Sequence, residues 1–171
     1  MISKTSLAAT FLLTIPASNY LITNVGSVCQ EDGPCLIPVG FGLMAPSGVL
    51  LVGLALVLRD LLQERFGPYF TLSLVVLGSI LSYFLASPYI AVASAVAYLL
   101  AEMLDQAVYT TLRKKFLLAG ILLSGFVGAV VDSVVFLMLA FGSLDFVVGQ
   151  IVGKLYATLL GATVILYLRE K

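Results

Sequence analysis

Pro46-Ser-Gly-Val-Leu-Leu-Val-Gly-Leu-Ala-Leu-Val-Leu-Arg-Asp-Leu-Leu-Gln-Glu-Arg-Phe-Gly67 is the stretch that decides the fold. It runs thirteen residues without a charge, then places Arg59, Asp60, Glu64 and Arg65 in its last two turns. An apolar run of this kind reads as membrane-spanning. A charge inside such a run costs about 3 kcal/mol on insertion scales, so it marks a functional position. Asp60 and Glu64 are four apart and share one helix face.

The rest of the chain agrees with a membrane reading. Of 171 residues, 61% are hydrophobic and 11% charged, against about 25% charged in soluble domains. Mean hydropathy is +1.12. Nine Lys and Arg balance nine Asp and Glu, so electrostatic capture of nucleic acid has no support. There is no His, which excludes a His base or a His-ligated metal.

Spans are expected over 5–23, 41–63, 69–86, 88–110, 116–141 and 146–168. Each is near the ~20 residues that a bilayer core demands. Gly67-Pro68, Ser87-Pro88, Arg113-Lys114-Lys115 and Gly142-Ser143 mark the breaks. The fold class is thus an all-α membrane protein, a six-transmembrane-helix bundle forming one domain over 1–171. The first segment is expected to be a retained span, since Ser18 and Asn19 interrupt its apolar run and no small-x-small cleavage site follows. Lys4, Arg65, Arg113, Lys114, Lys115, Arg169 and Lys171 all fall on one side of this arrangement, and Glu31, Asp32 and Asp145 on the other. By the positive-inside rule both termini are cytoplasmic. Tyr69, Tyr89, Tyr109 and Tyr167 sit near span ends, as interfacial aromatics do. Cys29 and Cys35 flank an outer loop, where an oxidising exterior permits a disulfide; two free thiols are the alternative. A shift of 42 residues lays Pro46 on Pro88 and Asp60 on Glu102, the mark of a faint parallel repeat.

The polar residues inside the spans carry the chemistry. Asp60, Glu102 and Asp105 fall in the cytoplasmic half, with Tyr98 one turn above Glu102. Asp132 and Lys154 reach the same depth from opposite ends of spans five and six, and Asn19 lies near that level. An Asp132–Lys154 pair follows, either locking two helices together or serving a ligand. Arg59, Glu64 and Arg65 read as side chains snorkelling to the cytoplasmic surface, whereas Asp60 and Asp105 are too short to do so. Gly125, Ala129 and Ser133 form a small-xxx-small face for close helix contact. Beside it run Ser124, Gly128, Asp132 and Phe136, and span six repeats the logic with Gln150, Lys154 and Thr158.

An enzyme is a poor reading: there is no His, no C-x-x-C and no Gly-rich phosphate loop. A channel wants rings of like charge or a carbonyl filter. A carrier needs polar groups converging at depth between short-looped helices, and these are present.

Five of the six spans resemble the queuosine-precursor transporter family, also called the vitamin uptake transporter family. The resembling residues are Ala17-Ser18-Asn19-Tyr20-Leu21, Asp60 with Phe66-Gly67, Ala93-Ser94-Ala95-Val96-Ala97-Tyr98 with Leu104-Asp105, Thr111-Leu112-Arg113, Gly128 with Asp132 and Ala140-Phe141, and Lys154. The resemblance implies a multi-pass inner-membrane importer of 7-deazaguanine bases such as 7-cyano-7-deazaguanine. A carboxylate can accept two adjacent N–H donors of a guanine-like edge. Asp60, Glu102, Asp105 and Asp132 are the candidate acceptors. Asn19 and Gln150 serve carbonyl and amide groups, Lys154 keeps a nearby acid ionised or donates to the ring carbonyl, and Tyr98, Phe136 or Tyr156 can stack on the ring. No cofactor or metal is expected; the partners are a purine-like small molecule and the lipid bilayer, with a homo-oligomer open. Two other readings stand beside it: a substrate-capture subunit of an energy-coupling-factor vitamin importer, and a structural membrane protein.

Overall fold

The computed structural model describes residues 4–31, 33–85 and 88–169. Asp32, Ser87 and Lys171, and the side chains of Tyr89, Tyr167 and Arg169, lie outside the described residues. Among the described residues there are six helices: α1 Lys4–Asn24, α2 Val49–Phe66, α3 Pro68–Leu85, α4 Pro88–Leu112, α5 Leu117–Phe141 and α6 Val147–Arg169. Three strands stand between α1 and α2: β1 Val28–Cys29, β2 Cys35–Gly40 and β3 Leu43–Pro46. They pair antiparallel in the order β1-β2-β3.

Proline and glycine punctuate the helices. Pro68 and Pro88 occupy first helical positions, where the missing N–H costs nothing. Gly142 adopts a left-handed φ of 65° and its N–H bonds Met138 O, closing α5 as C-terminal glycines do.

The sheet corrects an all-α expectation. The apolar run from 41 to 46 belongs to a hairpin and not to a span, and α2 begins only at Val49. Gly40, Phe41 and Gly42 take φ of 94°, 52° and 73°. Three successive left-handed residues reverse the chain, which glycine tolerates and which a helix cannot contain. The base of the sheet is joined by a Cys29–Cys35 disulfide. Closing so short a loop is worth roughly 2 kcal/mol in the chain-entropy account. Reductant is therefore expected to lower the melting temperature of the wild-type protein and to leave a Cys29→Ser, Cys35→Ser variant unmoved.

The hairpin lies along the first turns of α6. Gly149 meets the Met44 carbonyl, and Gly153 meets Val39 and Val49. A side chain at Gly149 would strike backbone, which cannot swing aside. Gly149→Val is expected to cost about 2 kcal/mol or more through overpacking, read as a lower melting temperature in detergent.

α2 is the hub, packing against each of the other five helices. Its Gly53 lies against Lys154 backbone and Ala157 of α6. Burial runs opposite to the soluble pattern. Arg59, Gln63, Asp105 and Lys154 are fully buried, while Leu13, Phe84, Leu139 and Leu160 are more than half exposed. An apolar outside around a charged inside suits a lipid surround. α1, α3 and α5 are each long and apolar enough to cross a membrane by length and composition. α2 differs in holding four charges in its last two turns.

Candidate functional site: a small cavity beside a buried charge cluster

All six helices contribute to one internal cavity. Thr14, Ser18 and Asn19 come from α1, Val49, Val52 and Ala55 from α2, and Ser82 from α3. Ser94 and Tyr98 of α4, Asp132 and Phe136 of α5, and Gln150 and Lys154 of α6 complete the wall. Pro46, the last residue of β3, also lines it, so the hairpin delivers the start of α2 to the cavity. α3 was not among the helices that sequence depth alone assigns to a cavity; Ser82 is too small and common a signal to single out.

Lys154 organises one wall. Its Nζ donates to Asp132 Oδ2 at 2.5 Å, Ser133 Oγ at 2.8 Å and Gln150 Oε1 at 3.2 Å. Three donors meet three acceptors, so the buried amine is fully satisfied by the protein. The Asp132 side chain is 12% exposed. Among the described residues its Oδ2 accepts from Lys154 and its Oδ1 takes no hydrogen bond from the protein. Two donors stand ready beside it. Asn19 Nδ2 and Tyr98 Oη are buried with no partner among the described residues, and an unsatisfied buried polar group costs about 1–3 kcal/mol. Groups kept at that cost in a cavity wall are what a binding site contains.

The cavity is shut. It holds about 40 Å³, little more than one water's share of roughly 30 Å³. Ligand sites span roughly 300–1,000 Å³. Occupancy by a bicyclic ring thus requires the helices to part. Pro16 removes a hydrogen bond from the middle of α1, between Ile15 and Ser18 on the wall, and loosens that helix where it must move.

The candidate residues do not share one hollow. Asn19, Tyr98, Asp132, Gln150 and Lys154 line the cavity, whereas Asp60, Glu102 and Asp105 are gathered elsewhere, around Arg59. Arg59 Nη1 approaches Asp60 Oδ1 at 2.5 Å and Nε approaches Glu102 Oε2 at 3.2 Å, while Nη2 pairs with Asp105 Oδ2. All four side chains are at most 2% exposed. Arg59 therefore does not snorkel, as its place near the end of an apolar run had implied. The neighbouring Asp60 and the acids one helix away hold it inside, and its guanidinium lies 5.8 Å from the Tyr109 ring. Adjacent Arg59-Asp60 in an otherwise apolar run was the available signal.

Other expectations sort cleanly. Glu64 pairs with Arg113 at 3.0 Å near the helix ends, and Arg65 is exposed. Phe136 reaches the cavity, but Tyr156 does not: it is 40% exposed, with its hydroxyl beside Gly40. Gly125 packs on Thr158 of α6, and Gly128 lies against Asp105 of α4. The small residues of α5 thus admit both neighbours. Asp60 and Glu102, matched by the 42-residue shift, meet on the same arginine.

A family described as "Putative vitamin uptake transporter" matches residues 69–169. The match covers α3 to α6, with Tyr98, Glu102, Asp105, Asp132, Gln150 and Lys154, and leaves out Asn19, Arg59 and Asp60. No curated protein and no solved structure matches the chain. The matched region is more than half of the sequence and contains the Asp132–Lys154 wall; the chain belongs to the vitamin uptake transporter family of membrane proteins.

Proposed function

We propose that this protein is a multi-pass inner-membrane carrier that imports a queuosine precursor, 7-cyano-7-deazaguanine or a related 7-deazapurine. All six helices cross the bilayer in this reading, with both termini in the cytoplasm, and the chain is one transport domain. The observation that carries it is the wall of Asn19, Tyr98, Asp132 and Lys154: free donors and a charged pair kept inside a lipid-faced bundle. Asp132 Oδ1 accepts from the N–H edge of a guanine-like ring, Asn19 and Tyr98 donate to its acceptors, and Phe136 covers its face. Resemblance of five spans to queuosine-precursor transporters supplies the substrate class.

Ligand binding to the purified protein tests this. 7-Cyano-7-deazaguanine is expected to raise the melting temperature of the wild type, as any ligand that binds only the folded state does. Asn19→Ala is expected to weaken that shift about tenfold in apparent affinity, the worth of roughly one hydrogen bond. No shift with any 7-deazaguanine contradicts the substrate assignment. Uptake that needs a co-expressed ATP-hydrolysing partner would instead make the protein a substrate-capture subunit. For orientation, a cysteine placed at Lys114 is expected to resist impermeant labelling from outside intact cells.

A further inference from the structure

The Arg59 cluster lies off the cavity wall and has no part in the binding scheme above. Its charges do not balance. One guanidinium faces Asp60, Glu102 and Asp105, all at most 2% exposed. Among the described residues no other element corrects the deficit: Arg113, just past α4, is paired with Glu64, and Arg65 of α2 is exposed. Tyr98 and Tyr109 of α4 are neutral phenols, Asp132 of α5 adds another carboxylate, and Lys154 of α6 is already committed to Asp132. Among the described residues α1 brings Lys4, which is exposed and lies over the Phe70 ring, and the exposed Tyr20, while α3 brings Tyr69 and Tyr83, both exposed. Each uncompensated buried charge is strongly destabilising, so the cluster must take up positive charge from outside the protein. A metal ion is the wrong candidate. Among the described residues no three acidic side chains converge as a metal would require; each one turns to Arg59. Asp105 Oδ1 is also buried without a hydrogen-bond partner among the described residues, a vacancy that an O–H can fill.

We propose that the Arg59 cluster is the carrier's proton site: it holds at least one proton on Glu102, Asp60 and Asp105 while the cavity is closed, and gives it up when the cavity opens. The coupling role rests on the carrier reading; proton occupancy does not. Glu102 is the primary carrier of the proton. Its contact to Arg59 is a single one through Nε, at 3.2 Å the longest of the three that the guanidinium makes. It also lies within electrostatic reach of Asp132 and Tyr98 on the cavity wall. A ligand that engages Asp132 changes the field at Glu102, and by linkage the proton changes the affinity for that ligand. On opening, the carboxyl O–H bond breaks, its electron pair stays on oxygen and the proton passes to water.

Infrared spectroscopy of the purified protein at pH 7 tests occupancy without any substrate. A protonated buried carboxyl gives a C=O stretching band distinct from carboxylate bands. The band is expected in the wild type and is expected to lose at least half its area in Glu102→Gln. Absence of the band from the wild type, or a band unchanged in Glu102→Gln, Asp60→Asn and Asp105→Asn alike, overturns the proposal. A band present in choline chloride but abolished by sodium chloride assigns the site to sodium and overturns it too. Coupling is read by adding 7-cyano-7-deazaguanine to weakly buffered protein with a pH dye. Wild type is expected to exchange protons on binding and Glu102→Gln not to. A band without any binding leaves the proton site standing and removes the substrate; binding with no proton exchange removes the coupling.

Discussion

Lys154→Met is expected to abolish uptake and to destabilise the folded protein by about 3–5 kcal/mol, the cost of stranding one partner of a buried ion pair. The strain falls on Asp132, which loses its counter-charge inside the bundle while Ser133 and Gln150 lose their shared donor. The remedy separates structure from function. Lys154→Met combined with Asp132→Asn removes both charges and is expected to recover most of the stability, because buried pairs add little over neutral replacements. Transport is expected to stay lost in the double variant, since the carboxylate proposed to meet the ligand is gone. Thermal melting and uptake on the same preparations check both halves. Stability and uptake recovering together would mean that the pair only fastens α5 to α6.

Arg59→Gln carries the other large effect. Three buried carboxylates lose the one guanidinium they share, and the loss is expected to exceed about 3–5 kcal/mol at neutral pH. Its sign with pH is the useful part. The variant's burden is unbalanced negative charge, which protonation removes, so its stability is expected to rise as pH falls and to fall as pH rises. Melting temperatures of the variant and the wild type between pH 5 and pH 8 measure this, and the gap between them should widen towards pH 8. Arg59→Lys is not a conservative control: an ammonium cannot reproduce the forked contacts to three acids on two helices.

The sequence and the structure part company at two places, for physical reasons. Five helices lie within a few residues of the runs that hydropathy marks, because length and apolar content decide a span. The hairpin at Gly40-Phe41-Gly42 is hidden in one of those runs: Leu43 to Pro46 is as apolar as the helix that follows, and only the Gly-x-Gly reversal distinguishes it. The Asp132–Lys154 pair was legible because depth along a helix is arithmetic. The fate of Arg59 was not, since snorkelling and burial differ only in what stands on the neighbouring helix, and depth counting does not give rotation. The same blindness merged Asp60, Glu102 and Asp105 with the cavity residues. The structure turns them to Arg59, and thereby separates the cavity wall from the buried charge cluster.

A cavity that measures about 40 Å³ also tells how the protein must work. It cannot be a standing pore, and it cannot admit a ring without parting its helices. Pro16 in α1 and the hairpin along α6 are the two places where regular helical packing is interrupted beside the wall. Both are positions from which opening on one side can proceed while the other stays sealed.

The most direct measurement is queuosine in the tRNA of a host that can neither make nor import the precursor, supplied with 7-cyano-7-deazaguanine in the medium. With the wild-type protein in the membrane, queuosine is expected to return, and with Asp132→Asn expressed to the same level it is expected to stay absent. Wild-type protein that inserts normally yet restores nothing, or an Asp132→Asn variant that restores as much as wild type, would contradict the assignment of this cavity as the carrier's binding site.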